Sequence, residues 1–154
     1  MNDARPGSYV VVLAATARAT CEVGRLGTIT LTPGWYLYVG SAFGPGGVRA
    51  RVMRHLRRDK PRHWHLDYLE AVLAPREVWY THAARRYEHV LATALDTLGG
   101  VRPVAGFGCS DCACSAHLFA SRARLRASRL ARHAGVSLEV WSPPLDARAA
   151  DRLQ

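Results

Sequence analysis

From Ser8 to Ala14 the chain reads Ser-Tyr-Val-Val-Val-Leu-Ala. This β-branched and aromatic run has no polar face, so it predicts a strand buried on both sides. Two short runs, Thr20–Val23 and Thr28–Leu31, follow and are punctuated by Gly24 and Gly27. The second is closed by Pro33-Gly34. Trp35–Val39 reads as a further, aromatic strand, and 40–47 as a glycine-rich loop. Val48, Val52 and Leu56 recur one helical turn apart, which predicts a helix over Val48–Arg58, ended by Pro61. Trp64–Leu73 reads as a short second helix closed before Pro75, and Glu77–Thr81 alternates like a strand. Tyr87, Leu91, Ala94, Leu95 and Leu98 share one face of a helix over Arg85–Leu98, with Gly99-Gly100 as its C-cap. A cysteine-rich loop, Phe107–Ser115, leads to a short strand at His117–Ala120. An arginine-rich helix over 121–134, a strand at Leu138–Trp141 and a proline-interrupted tail complete the pattern.

Strands with helices set among them predict an α+β domain: a short antiparallel sheet flanked by helices. The length of 154 residues is that of one ordinary domain. The chain divides into an N-terminal tail (1–6), a folded unit (7–121) and a basic C-terminal helix, strand and tail (122–154).

Charge adds a partner. Lys plus Arg is 21 against 12 acidic residues, and Lys60 is the sole lysine. Arginine makes planar, bidentate contacts with phosphate, so the excess points to nucleic acid held by an arginine-rich surface. A genomic bias toward Ala and Arg is the plainer alternative. Arg122, Arg124, Arg126, Arg129 and Arg132 are read either as backbone-contacting residues or as a solvated helix face. No apolar run approaches the ~18–20 residues that span a bilayer, so no membrane partner is expected. Tyr9–Ala15 faintly resembles the core of a signal peptide, but it is short and follows Asp3, so the strand reading is preferred. Cys109, Cys112 and Cys114 sit too close together for a disulfide framework, and a reducing, cytoplasmic setting is expected.

Arg51 and His55 lie four apart on one helix face, where a guanidinium can clamp phosphoryl oxygens and an imidazole can move a proton. Tyr36 and Tyr38 face one way on their strand, and Tyr38, at its end, is aimed at the same space. A tyrosine needs cationic neighbours to act as a base, because its ordinary pKa is near 10. Arg51 and His55 are the candidates to supply them. Plain cross-strand packing is the alternative for both tyrosines.

Three motifs together resemble the GIY-YIG nuclease family. They are Gly7-Ser8-Tyr9, then Tyr38-Val39-Gly40, then Arg51 with His55. The strings Gly34-Trp35-Tyr36-Leu37-Tyr38-Val39-Gly40-Ser41-Ala42, His63-Trp64-His65-Leu66-Asp67-Tyr68-Leu69 and Phe107-Gly108-Cys109-Ser110-Asp111-Cys112-x-Cys114-x-x-His117-Leu118 look like a small subfamily whose domain stands nearly alone or is fused to DNA-acting modules. The resemblance implies a metal-dependent endonuclease, DNA favoured over RNA, with one Mg²⁺ or Mn²⁺ on a glutamate of a later helix. Glu88 is the candidate, and an ordinary surface glutamate paired with Arg85 is the alternative. On this resemblance Tyr38 is general base or positions water, and His55 takes up its proton. Tyr9 places water or phosphate, and Arg51 stabilises phosphoryl charge. Three departures stand out. Ser8 occupies a position where a larger apolar residue is common, residues 43–47 lengthen the loop, and the span between the tyrosines requires an extra strand pair. Gly34-Trp35-Tyr36 is the second-ranked candidate for the first motif.

Two rival functions remain: a nucleic-acid-binding module of the same fold without cleavage, and an interaction protein stabilised by zinc. Cys109, Cys112, Cys114 and His117 offer three thiols and an imidazole, with His63 and His65 as distant candidates. Closed zinc sites usually draw on separated ligand pairs, so small buried thiols beside a core histidine is the preferred reading of this loop.

Overall fold

A computed structural model describes Met1 and residues 3–144. Its elements run β1 (Gly7–Ala15), β2 (Ala19–Val23), β3 (Gly27–Leu31), β4 (Gly34–Ala42), α1 (Gly47–Leu56), β5 (Ala74–Thr81), α2 (Glu88–Thr97), β6 (Val101–Pro103), β7 (Leu118–Ser121), α3 (Ala127–Ala134) and β8 (Glu139–Trp141). The fold is α+β. Six strands form one antiparallel sheet in the order β6-β7-β4-β1-β5-β8, and β2 with β3 forms a separate hairpin. That hairpin is the extra strand pair expected between the two tyrosine motifs.

β1 is central in the sheet, between β4 and β5, and side chains of other elements pack on both of its faces, so an unbroken apolar run is what the position requires. On one face Tyr9, Val11, Leu13, Tyr36 and Tyr38 pack under Val48 and Val52 of α1, Leu66 and Leu69 of a 3-10 helix at His65–Leu69, and Val23 and Leu31 of the hairpin. On the other, Val10, Val12, Leu37, Val39 and Trp79 pack against Leu91 and Leu95 of α2 and Leu130 of α3. The sheet is therefore the middle of three layers.

Several elements differ in extent from what their periodicity suggests, and each difference has a local cause. β4 runs on to Ala42, because Gly40, Ser41 and Ala42 still pair with Tyr9, Ser8 and Gly7. α1 stops at Leu56, and the backbone turns extended at Arg57. The expected helix over 64–73 is one 3-10 turn. There the Asp67 carboxylate takes the backbone N–H groups of His63 and Trp64, both at 2.9 Å, and so caps the start of that turn. α2 begins at Glu88 because the backbone N–H of Tyr87 donates to the Ser8 hydroxyl at 2.9 Å. The expected helix over 121–134 forms only from Ala127. Before it, Arg124 lies over the Trp35 ring, 5.2 Å from its centroid, and ion-pairs with Glu77. The segment after 121 joins the same architecture: α3 packs in the α2 layer and β8 pairs with β5. The end of the tail, 145–154, lies outside the described residues. Among the described residues no helix is long and apolar enough to cross a membrane.

Candidate active site

The register of β1 against β4 sets the site. Val11 is paired with Tyr38, and Tyr9 lies two residues from Val11, so both phenols occupy the face beneath α1. Two glycines make this arrangement possible. A Cβ at Gly40 would sit 2.5 Å from the Tyr9 hydroxyl and 2.6 Å from the ring carbon bearing it, so the Tyr9 ring lies directly over that bare backbone. A Cβ at Gly7 would collide with the Thr81 carbonyl oxygen of β5. Glycine stands in both motifs because other chain comes too close for a side chain. Tyr36 shares the face but not the site: its hydroxyl accepts from the Thr32 backbone N–H at 2.9 Å and donates to the Thr32 carbonyl at 2.8 Å, closing the turn before β4. It is β1, with Gly7-Ser8-Tyr9, that pairs with the end of β4, and Gly34-Trp35-Tyr36 begins β4 itself.

α1 places His55 between the phenols. Its Nε2 lies 2.8 Å from the Tyr9 hydroxyl, and its ring meets Tyr38 edge-on with centroids 5.4 Å apart. The imidazole read as the acceptor of the Tyr38 proton is thus hydrogen-bonded to Tyr9. His55 Nδ1 is buried with no hydrogen-bond partner, and the ring borders a cavity of about 30 Å³, shared with Leu56, Leu66 and Glu70. Burial pulls the His55 pKa down to about 3. Asp67 opposes that shift, and Lys60, Arg51 and Arg54 add to it. His55 is therefore neutral at physiological pH. Arg51, one turn earlier, lies 4.6 Å from the Trp64 ring centroid.

The expectation that cationic neighbours lower the tyrosine pKa values is overturned. Burial pushes both Tyr9 and Tyr38 well above the ordinary phenol value. Arg51 pulls the other way without winning, and His55 carries no charge with which to help. Both phenols hold their protons at neutral pH.

Glu88 opens α2 on the opposite layer, yet its carboxylate comes to the end of β4. Oε2 accepts from the Ser41 hydroxyl at 2.6 Å, and Oε1 lies 3.1 Å from His117 Nδ1. The alternative pairing with Arg85 does not form; Arg85 lies over the Tyr87 ring. Burial would raise the Glu88 pKa, but the bonds from His117 and Ser41 outweigh it, so the carboxylate is ionised. Its negative field reaches both phenols and contributes to their raised values.

Beside Glu88 four soft donors converge. One ligand atom each from His89, Cys112, Cys114 and His117 lies within 4.8 Å of the other three, a cluster able to hold a metal ion. The set differs from the one expected. Cys109 is outside the cluster, its thiol turned to the Phe107 carbonyl oxygen at 3.6 Å, and His89 is in it. The distant candidates are elsewhere: His63 meets the Trp64 ring edge-on, and His65 Nδ1 accepts the Gly108 N–H at 2.9 Å. His89 went unread because nothing in its spacing ties a helix residue to a loop 23 positions later. Ser8, Ser41 and Asp67 were likewise unassigned from the sequence. The notable signal was Ser8 itself, a small polar residue in an apolar strand.

The chain belongs to a family described as a domain of unknown function, DUF123, which matches residues 8–139 and so takes in every residue of this site. No curated protein and no solved structure matches it.

Proposed function

We propose that the protein is a GIY-YIG-type endonuclease that hydrolyses nucleic-acid phosphodiesters, DNA before RNA, with a divalent metal. The observation that carries this reading is the contact of Tyr9, Tyr38 and His55 on one sheet face, with the charges of Arg51 and Glu88 both felt at the phenols.

Mg²⁺ or Mn²⁺ fits Glu88 by chemistry. The carboxylate is ionised and about a quarter exposed, and each oxygen accepts one bond, which leaves lone pairs free. Mg²⁺ is commonly held by one or two carboxylates, with waters and substrate phosphate completing its shell. When bound, the metal supplies charge neutralisation at the scissile phosphate and its leaving oxygen.

Tyr38, 8% exposed against 1% for Tyr9, is the phenol nearer solvent. Because burial keeps it protonated, it orients the attacking water by hydrogen bonding and does not act as the base. His55 is neutral and takes up the released proton at Nε2 by way of the Tyr9 hydroxyl, which passes its own proton to the imidazole as it accepts the one from water. A phosphate seated against Arg51 offsets a cation that now depresses His55, so substrate itself raises the acceptor's basicity. Arg51 stabilises charge on the phosphoryl oxygens.

The test is cleavage of single-stranded, duplex and branched DNA and RNA with and without Mg²⁺ or Mn²⁺, using wild type, Arg51→Ala and Glu88→Ala. Expected are metal-dependent cutting by wild type, a loss of about 10²–10³-fold in Arg51→Ala, and no metal-dependent cutting by Glu88→Ala. Undiminished cutting by either variant refutes the assignment. Salt-sensitive binding with no cutting by wild type would favour a binding module of the same fold.

A further inference from the structure

We propose that His89, Cys112, Cys114 and His117 form a zinc site that ties the first turn of α2 to the loop between β6 and β7. This inference stands apart from the nuclease reading, because it concerns a different donor set and a different class of metal.

The chemistry of the donors selects the ion. Two thiolates and two imidazoles match zinc, whereas Mg²⁺ and Mn²⁺ prefer oxygen. The geometry agrees. In a tetrahedral site with Zn–S of about 2.3 Å and Zn–N of about 2.0–2.1 Å, neighbouring ligand atoms stand roughly 3.3–3.8 Å apart. Here His89 Nδ1 lies 3.1 Å from Cys114 Sγ, Cys112 Sγ lies 3.3 Å from His117 Nε2, and all four atoms fall within 4.8 Å of one another. A central ion needs the two close pairs to open slightly and the wider pairs to close by up to about 1 Å, on side chains that are exposed or half-buried at three of the four positions.

The backbone delivers the ligands. Val104 N–H donates to the Leu118 carbonyl at 2.8 Å, Gly106 N–H to Ser115 at 2.9 Å, and His117 N–H to Phe107 at 2.7 Å. These bonds continue the pairing of β6 with β7 and fold the intervening loop back on itself. Cys112 and Cys114 are thereby returned to the level of His117, facing the start of α2. The ligands thus come from two separate parts of the chain, one from α2 and three from the loop.

The surroundings of His117 supply the next argument. Nε2 faces the cluster, and Nδ1 faces Glu88 Oε1 at 3.1 Å. A carboxylate on the far nitrogen is the usual partner of a metal-binding histidine, because it fixes the tautomer and the ring orientation. Ser41 in turn holds the other oxygen of that carboxylate. With four protein ligands there is no open position, so the ion's role is structural: it locks the loop to α2 and, through His117, helps to hold Glu88 at the end of β4.

The test is metal content of the full-length chain purified under reducing conditions, measured without substrate. Expected is one zinc per chain in wild type and in Cys109→Ser, and none in His89→Ala. Replacement by Co²⁺ gives the intense visible bands and thiolate charge transfer of a tetrahedral sulfur–nitrogen site, which His89→Ala loses and His89→Cys restores. Glu88→Gln is expected to weaken zinc about 10–100-fold in competition with a chelator. Wild type that carries no zinc and takes up neither Zn²⁺ nor Co²⁺ overturns the proposal, as does a folded His89→Ala chain that keeps its zinc. Loss of zinc from Cys109→Ser overturns this ligand set. Because metal content is read in the absence of nucleic acid, zinc without cutting, or cutting without zinc, separates this inference from the nuclease reading.

Discussion

Burying His55 without charge costs stability in acid. The ring is 8% exposed, its Nε2 meets Tyr9, and its Nδ1 has no partner. The groups around it are Arg51 and Arg54 on its own helix, Lys60 just beyond, Asp67 on the 3-10 helix, and the two uncharged phenols of the sheet. The folded-state pKa of about 3 lies below the ordinary 6.5. Between those values the unfolded chain binds a proton that the folded chain does not, so stability rises with pH across the window and falls on acidification. From above 6.5 down to pH 5 the drop is 1.5 pH units, or about 2 kcal/mol at ~1.36 kcal/mol per unit. Other groups titrate too, so the readout is a difference. Urea unfolding of wild type and His55→Gln is compared at pH 7 and pH 5, and wild type should lose about 2 kcal/mol more than the variant. A wild-type-minus-variant difference that stays constant to within ~0.5 kcal/mol would mean that His55 titrates normally and is not sealed between the phenols.

Two further outcomes concern the supports of the site. Asp67 receives two backbone N–H groups and Arg54, with Lys60 Nζ at 3.6 Å, and the Lys60 side chain is 4% exposed. Asp67→Ala removes the acceptor shared by the His63 and Trp64 N–H groups and Arg54, while Lys60 keeps Glu70 at 3.0 Å, and should cost about 1–3 kcal/mol by chemical denaturation; a loss under ~0.5 kcal/mol would show that the carboxylate does not hold the segment after α1. Gly40→Ala drives a methyl into the Tyr9 ring and should destabilise by about 1–3 kcal/mol, with the tyrosine environment altered in near-ultraviolet circular dichroism. An unchanged spectrum and midpoint would mean that the ring does not cross that backbone.

Much of this was legible in one dimension. The unbroken run at 8–14 had to be a central strand, because only a strand covered on both faces can bury every side chain. The fourfold spacing of Arg51 and His55 dictated a shared helix face, and the twofold spacing on β4 put Tyr36 and Tyr38 on one side. Such readings succeed because helix and strand periods are properties of the local backbone. The resemblance, in turn, supplied Glu88 and the pairing of the two tyrosine motifs.

What the tertiary structure decided is everything that depends on distance between segments remote in sequence. Register alone placed Tyr9 against Gly40. Which phenol His55 would bond depended on how α1 settles on the sheet, and it chose Tyr9. Burial reversed the expected direction of the tyrosine pKa values, because desolvation is set by the surrounding fold and outweighs one arginine nearby. Ser8 reads as a defect in an apolar strand until the Tyr87 N–H is seen donating to it. His89 replaces Cys109 in the soft-donor cluster for the same reason. Spacing along a loop says which residues are near in sequence, but a helix packed from the other layer decides which donors converge.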